Sequence, residues 1–470
     1  MEHQYYRDRR IGEHFDALRD RIEENESISI RKISKNRNEQ RQFYRLLSSS
    51  KFTEDKIVRQ FSDECQERVS EGSHILALHD TTVMCYQEHS GRIKAQSGLG
   101  STGPMSMGFY LHPVLAIRAE DENLLGFPYI HRWIKTGTDD ERKKKRKKRA
   151  QRDIEDKETY KWILSAERSK RVLLSRASMV TFIADRDSEF YEYWAMVPDK
   201  KTHVISRSNH DRWIKESDEG LFSYLSQESL RGEYTITIED WIDHKVVKRQ
   251  ARIELRFAEV TIIRPNIAAL YRRNYPETIK LRAIEAREPD DSMPEGGQRV
   301  LWRLMTTHSV EDFREAMQIV EWYTKRWYIE QLFRTLKKKG FDCEDSLLGT
   351  GEALRKLALS ALDSAMKVML LILARGGKSH QKAENTFDTD ELDCLEVLNK
   401  EYEGNTLSQK NPFIKRTIPW VSWIIGRMGG WKGTKSERPA GPITMYTGLD
   451  KFNKIMIGWR LKNLQKVGSP

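Results

Sequence analysis

The sequence predicts a mixed α+β protein, and three observations carry that expectation. Two short apolar runs that read as buried strands end on Asp80 and Asp185. Apolar and charged residues alternate through about 210–305, as expected of an antiparallel sheet with one wet face. Residues before about 65 read as short helices, and the chain after about 350 reads as mostly helical.

Taken in order, residues 1 to about 65 predict a set of helices. Between Ser27 and Lys51 the cations Arg31, Lys32, Lys35, Arg37, Arg41, Arg45 and Lys51 face a single acid, Glu39. Phe43, Tyr44, Leu46 and Leu47 are interleaved with them. A basic helical unit of this kind suits phosphate contacts and groove entry; a solvated helical bundle is the plainer alternative. From about 70 to 210, strands and helices alternate. Ile75–His79, Phe109–Ile117, Leu124–Ile134, Val180–Ala184 and Thr202–Ser208 read as strands, and Glu158–Leu174 as helix.

Lys143, Lys144, Lys145, Arg146, Lys147, Lys148 and Arg149 continue a cation run that begins at Arg142, after Glu141. Such a run cannot pack in a core. It reads as a solvated loop or as a clamp on a phosphate backbone. The alternating region then contributes Tyr234–Ile238, Ala251–Phe257, Ala258–Ile262 and Ile279–Ile284 as separate strands. Tyr323–Lys337 contains neither Gly nor Pro and predicts one continuous helix. On it Tyr323, Arg326, Glu330, Arg334 and Lys337 fall within roughly 80° of one another. Trp322, Ile329, Leu332, Phe333 and Leu336 form the adjoining apolar stripe. A long helix follows Gly349 and ends near Gly376–Gly377. The acidic stretch 386–402 reads as a loop plus helix, and the tail carries Trp420, Trp423, Trp431 and Trp459.

Composition bounds the function. A length of 470 residues allows about three domains. At 38% hydrophobic and 10% aromatic, the chain can build a core. A net charge of +11 favours an anionic partner such as nucleic acid. Cys65, Cys85, Cys343 and Cys394 are scattered without a C-x-x-C, which argues against a disulfide framework or zinc finger. The longest apolar run, Val368–Ala374, is short for a bilayer, and the first residues lack a signal-peptide core. The expectation is a cytoplasmic, nucleoid-associated protein. No phosphate-cradling glycine loop argues for a nucleotide cofactor. No G-x-S-x-G elbow supports a serine hydrolase, and the charge argues against a glycosidase acting on neutral sugar. His112, within an apolar strand, reads as a core histidine rather than a metal ligand.

The chemistry is carried by carboxylates. Two strand-end Asp residues and a later helical Glu suit two-metal phosphoryl transfer. Three such groups crowd together only when divalent cations neutralise them.

These residues also resemble a family. Tyr323, Arg326, Glu330 and Lys337 match the Y-(2)-R-(3)-E-(6)-K signature of the DDE transposases of the insertion-sequence-four group, which includes the transposon-five transposase. Asp80-Thr81-Thr82 matches the group's first-Asp motif. Asp185-Arg186-Asp187-Ser188-Glu189 resembles its D-R-E-A-D motif, departing at Asp187 and Ser188. The resemblance runs through about two thirds of the chain. It implies that Asp80, Asp185 and Glu330 are the catalytic ligands of two Mg²⁺ (or Mn²⁺) ions. It implies phosphate-binding roles for Tyr323, Arg326, Lys337 and Arg207, and a base-stacking role for Trp302, 21 residues before Tyr323; Arg334 extends the same stripe and is read as a further phosphate contact. It further implies a ribonuclease H-like catalytic core at 66–375 with a β-sheet insertion at about 210–305. A helical DNA-end-binding domain at 1–65 and a helical C-terminal domain at 376–470 for dimerisation complete the expectation. The partners implied are double-stranded DNA and a second copy of the chain, with no membrane. Two alternatives remain from the residues: a ribonuclease H-like nuclease without strand transfer, and a DNA-binding regulator with vestigial catalysis.

Overall fold

The computed structural model describes residues 5–86, 98–103, 106–136, 151–242, 244–337, 340–433 and 437–467. The helices are α1 Arg9–Asn25, α2 Ile30–Ile33, α3 Arg37–Ser48, α4 Glu54–Arg68, α5 Tyr160–Leu173, α6 Tyr191–Met196, α7 Leu221–Gln227 and α8 Ala268–Arg272. They continue with α9 Phe313–Thr324, α10 Trp327–Leu336, α11 Gly351–Ala374, α12 Thr389–Tyr402, α13 Ile418–Met428 and α14 Pro442–Val467. The strands are β1 His74–His79, β2 Thr82–Cys85, β3 Gly100–Gly103, β4 Ser106–Arg118, β5 Leu124–Trp133 and β6 Met179–Ala184. Then come β7 Thr202–Arg207, β8 Gly232–Ile242, β9 Lys245–Ile263, β10 Thr278–Arg287 and β11 Leu301–Thr306. The protein is mixed α+β, with a mixed sheet and a helical C-terminal part. The chain folds into two compact units. One, the sheet unit, comprises Val69–Asp80 and Gly137–Trp327; the other, the helical unit, comprises Met1–Arg68, Thr81–Thr136 and Tyr328–Pro470.

In the sheet unit the strand order is β1-β6-β7-β11-β10-β9-β8. β1 pairs parallel with β6 and β6 with β7, whereas β11, β10, β9 and β8 join antiparallel. The parallel strands are nearly continuous apolar runs because both faces are covered. On one face His79 packs against Trp162 of α5 and Phe182 of β6, and His79 bonds Tyr193 of α6. On the other, Trp322 of α9 lies edge-on to His74, 4.8 Å between centroids, and tilted against His308.

Two expectations are corrected here. Ala251–Phe257 and Ala258–Ile262 are not separate strands but parts of β9. The alternation changes phase between them: Ala251, Ile253, Leu255 and Phe257 are buried, then Val260 and Ile262. The backbone ladder to β10 nevertheless runs unbroken from Thr278–Ile263 to Arg287–Glu254. The phase break therefore reflects a change in which face is covered, not a turn. The second correction concerns Tyr323–Lys337, which is two helices. Lys325 and Arg326 form a turn whose N–H groups bond three residues back, to Trp322 and Tyr323. That tightening ends α9 and restarts the chain as α10, so the single-face arithmetic for Tyr323 and Lys337 does not hold. Lys337 lies just beyond α10. There the Phe341 N–H turns back to the Thr335 carbonyl, and a Cβ on Gly340 would sit 1.9 Å from that same oxygen.

The helical unit is built around α11. This helix is long and apolar enough to cross a membrane, with mean hydropathy 1.9, but 94% of its apolar window is buried inside the protein. The Val368–Ala374 run is thus the end of a longer core helix. Phe15, Leu18 and Ile22 of α1, Phe43, Leu46 and Leu47 of α3, and Ile57, Val58 and Phe61 of α4 are buried in this unit. Trp420 and Trp423 of α13 are buried too. Asp388 and Glu391 form a capping box that starts α12. Within the same unit β2, β3 and β5 each pair antiparallel with β4.

Candidate nucleic-acid active site

The sheet unit contains six of the predicted residues at one edge: Asp80, Asp185, Arg207, Trp302, Tyr323 and Arg326. The strand register pairs Leu78 with Ile183 and Ala184 with Ser206. Continued to the strand ends, it sets Asp80 beside Asp185 and Asp185 beside Arg207. Arg207 in turn pairs with Leu304 of β11, two residues from Trp302. Side chains alternate along a strand, so Asp80, Asp185, Arg207 and Trp302 share one face. Neighbouring strands are about 4.8 Å apart, so that register would bring the two Asp backbones next to each other at the carboxyl ends of parallel strands. In open α/β sheets that end is where ligands bind.

Arg326, in the turn between α9 and α10, faces this row. Its Nη1 lies 3.3 Å from Asp80 Oδ2, with both side chains largely shielded. It is also hydrogen-bonded to the Tyr323 phenol. Burial raises the Tyr323 phenol above its ordinary value, against the pull of Arg326 and Arg207. The Tyr323 ring is 6.5 Å from the Trp302 ring, and Trp302 is half-buried rather than core. Arg207 donates to the Leu301 carbonyl at 3.0 Å.

Asp185 accepts the Asp187 N–H at 2.9 Å. Burial pushes its carboxyl above the usual range; Asp187 adds to this, while that hydrogen bond, Arg326 and Lys161 oppose it. Lys161, on α5, is a neighbour that the sequence did not single out, being one of many lysines. His79 and His112 are both fully buried. His79 is pushed down to about 3 by burial, and His112 Nδ1 is 2.9 Å from the Thr81 hydroxyl.

Glu330, Arg334 and Lys337 belong to the helical unit. Glu330 is in the first turn of α10 and half-buried, and Arg334 in its last turn is exposed. Lys337 Nζ lies 3.8 Å from Glu344. The Asp80–Asp185 pair suits a hard divalent cation: it offers adjacent oxygen ligands, one of them already desolvated. Among the described residues, no group of three or more His, Cys, Asp or Glu side chains is gathered about one metal position.

The basic N-terminal helix is also in the helical unit. Asn36 caps α3 by accepting from the N–H groups of Asn38 and Glu39, each at 3.0 Å. With Phe43, Leu46 and Leu47 turned inward, the opposite face shows Arg37, Arg41, Tyr44 and Arg45, all exposed. Glu39, the one acid, is occupied by Arg21 at 3.2 Å. The far end is held by a residue that sequence reasoning missed. Lys356 of α11 is fully buried, and its ammonium donates to the carbonyls of Leu47 (3.2 Å) and Ser49 (2.8 Å). A helix leaves its last carbonyls unsatisfied, and a cation there complements the dipole. No signal in the sequence distinguishes this lysine from its neighbours. The Lys143–Arg149 run lies outside the described residues. No protein-family model matches the chain.

Proposed function

We propose that the protein is a DNA transposase that binds inverted-repeat ends and carries out metal-dependent cleavage and strand transfer. The observation that carries this reading is Arg326, 3.3 Å from Asp80 and beside Tyr323, at the ends of two parallel strands that are followed by Asp80 and Asp185. A Tyr–Arg pair spaced as in the Y-R-E-K signature reaches the same carboxylates that the two Asp motifs supply. The fold assigned with it is a ribonuclease H-like core interrupted by the β8–β10 insertion.

In this reading Asp80, Asp185 and, by its place in the signature, Glu330 hold two Mg²⁺ (or Mn²⁺) ions. Bound there, the ions supply Lewis-acid activation and stabilise developing charge on oxygen. The chain's own residues do the rest. Arg326 orients the Asp80 carboxylate and, with Arg207, Arg334 and Lys337, neutralises phosphate. Tyr323 donates one hydrogen bond to a phosphate oxygen. A water attacks the phosphodiester at the element's end, the 3′-oxygen leaves as a hydroxyl, and that hydroxyl is the nucleophile for the next transfer. Trp302 offers a stacking face to a base displaced from the duplex. The exposed cations of α3 hold DNA backbone, and the Lys143–Arg149 run adds to that hold. The partners are double-stranded DNA and a second copy of the chain, with a cytoplasmic, nucleoid-associated location.

The test is to incubate the purified chain and Mg²⁺ with DNA carrying the repeats that flank its gene. Nicking followed by joining to target DNA is the expected result. Nicking without joining makes the protein a nuclease, and binding without nicking makes it a regulator.

A further inference from the structure

Glu189 ends the Asp185–Glu189 run and is 0% exposed, yet it is not idle. Its carboxylate accepts the Ser208 hydroxyl at 2.6 Å and the Asn209 and His210 N–H groups at 2.8 and 3.2 Å. His210 Nδ1 and Arg212 Nε approach at 2.8 and 3.1 Å. The Glu189 carbonyl takes a further bond from Arg212 at 2.6 Å, and the guanidinium lies over the Trp194 ring, 4.9 Å from its centre. A carboxylate has about four lone-pair sites, so no capacity remains for a metal ion.

What these bonds join is specific. The ladder between β6 and β7 ends at Ala184–Ser206. Asp185 and Arg207 stand one residue past it, beyond the last pair that sets the spacing of the two strands. Glu189 closes that gap by binding 208–212 to the turn that carries Asp185. The Ser188 hydroxyl reinforces it, donating to the Asp185 carbonyl at 2.7 Å and lying 3.2 Å from the Ser206 hydroxyl.

We propose that Glu189 is a positioning residue that fixes the Asp185 carboxylate and the Arg207 guanidinium relative to each other by cross-linking the ends of β6 and β7. The inference rests on the reading of Asp185 as a metal ligand at a DNA-cutting site. In Glu189→Gln, an amide NH₂ replaces one acceptor and meets N–H donors, so the 208–212 segment must shift.

The experiment uses the full-length chain and four readouts: thermal melting, Mn²⁺ binding by paramagnetic resonance, Mg²⁺-dependent nicking of end DNA, and affinity for end DNA by gel shift. In Glu189→Gln the Mn²⁺ dissociation constant should rise about 10- to 100-fold, the usual penalty for losing a group that orients a ligand. The Mg²⁺ midpoint for nicking should rise with it, and affinity for end DNA should stay unchanged. His210→Ala removes one donor from a ring with a side chain 67% exposed, so it should remain folded with a smaller shift in the same direction. A role confined to stability would lower melting and leave both metal midpoints unchanged, which overturns the proposal. If Glu189→Gln does not fold, an unchanged Mn²⁺ constant in folded His210→Ala overturns it. Wild type that binds Mn²⁺ but does not nick sinks the transposase reading alone, because the metal-binding shift still decides Glu189. Wild type that does not bind Mn²⁺ sinks both.

Discussion

Asp80 and Asp185 each stand just past the end of a parallel strand, β1 and β6, two residues beyond the Leu78–Ile183 pair that closes their register. Carboxylates brought close repel unless cations intervene. Arg326 lies 3.3 Å from Asp80 and also opposes the burial that raises the Asp185 carboxyl.

Asp80→Asn, Asp185→Asn and Glu330→Gln should each abolish nicking while leaving affinity for end DNA within about twofold, since the proposed function assigns backbone contacts to the cations of α3. Gel-shift titration and strand analysis on the same samples check this. A variant that nicks at the wild-type rate removes its residue from the metal-binding set.

Replacing Arg37, Arg41 and Arg45 together by Gln should weaken binding to DNA of any sequence. The slope of log affinity against log salt should flatten by about 0.9 for each phosphate that the variant no longer neutralises. The melting temperature should hold, because all three side chains are on the exposed face of α3. An unchanged slope would mean that this face is only solvated.

Trp302→Ala should slow a step after first-strand nicking. The side chain is uncharged and half-buried against Tyr323. Stacking on a displaced base contributes about 1–3 kcal/mol, or roughly a five- to hundredfold rate effect. Removing a core Trp would instead cost about 3–5 kcal/mol of stability. Time-resolved strand analysis with thermal melting separates the two. Early melting with a proportional loss of nicking makes Trp302 a packing residue.

His79 and His308 should make the protein acid-labile. His79 is pushed from 6.5 down to about 3 by burial. His308 is pushed equally far by burial and then by its neighbours His203 and His74. The unfolded chain takes up these protons near 6.5 and the folded one does not until about 3. Their contribution is therefore complete above pH 6.5 and is lost as pH falls from 6.5 towards 3. His308→Gln should flatten melting temperature against pH within that window, and an unaltered profile refutes the assignment.

Lys356→Met should keep the packing of α11 but leave the Leu47 and Ser49 carbonyls without their donor. An unsatisfied buried group costs about 1–3 kcal/mol, which denaturant titration resolves as a lower midpoint at constant slope. A midpoint equal to that of wild type would show that water replaces the ammonium.

The sequence by itself determined the local pieces. Apolar runs ending on Asp80 and Asp185 became β1 and β6 because period and burial are written residue by residue. The long helix after Gly349 and the cation-rich α3 were legible for the same reason. The sequence did not show the turn at Lys325–Arg326, which no Gly or Pro marks, nor the unbroken course of β9 through a change of burial phase. Those were decided by which face each segment had to cover. Tertiary structure alone placed Asp80 beside Asp185, closed Glu189 onto Ser208–Arg212, and buried Lys356 against the end of α3. Each of these joins residues far apart in the chain or hides a charge that composition assigns to the surface. Such contacts arise from strand register and helix packing, which depend on the whole sheet or bundle rather than on any window of sequence.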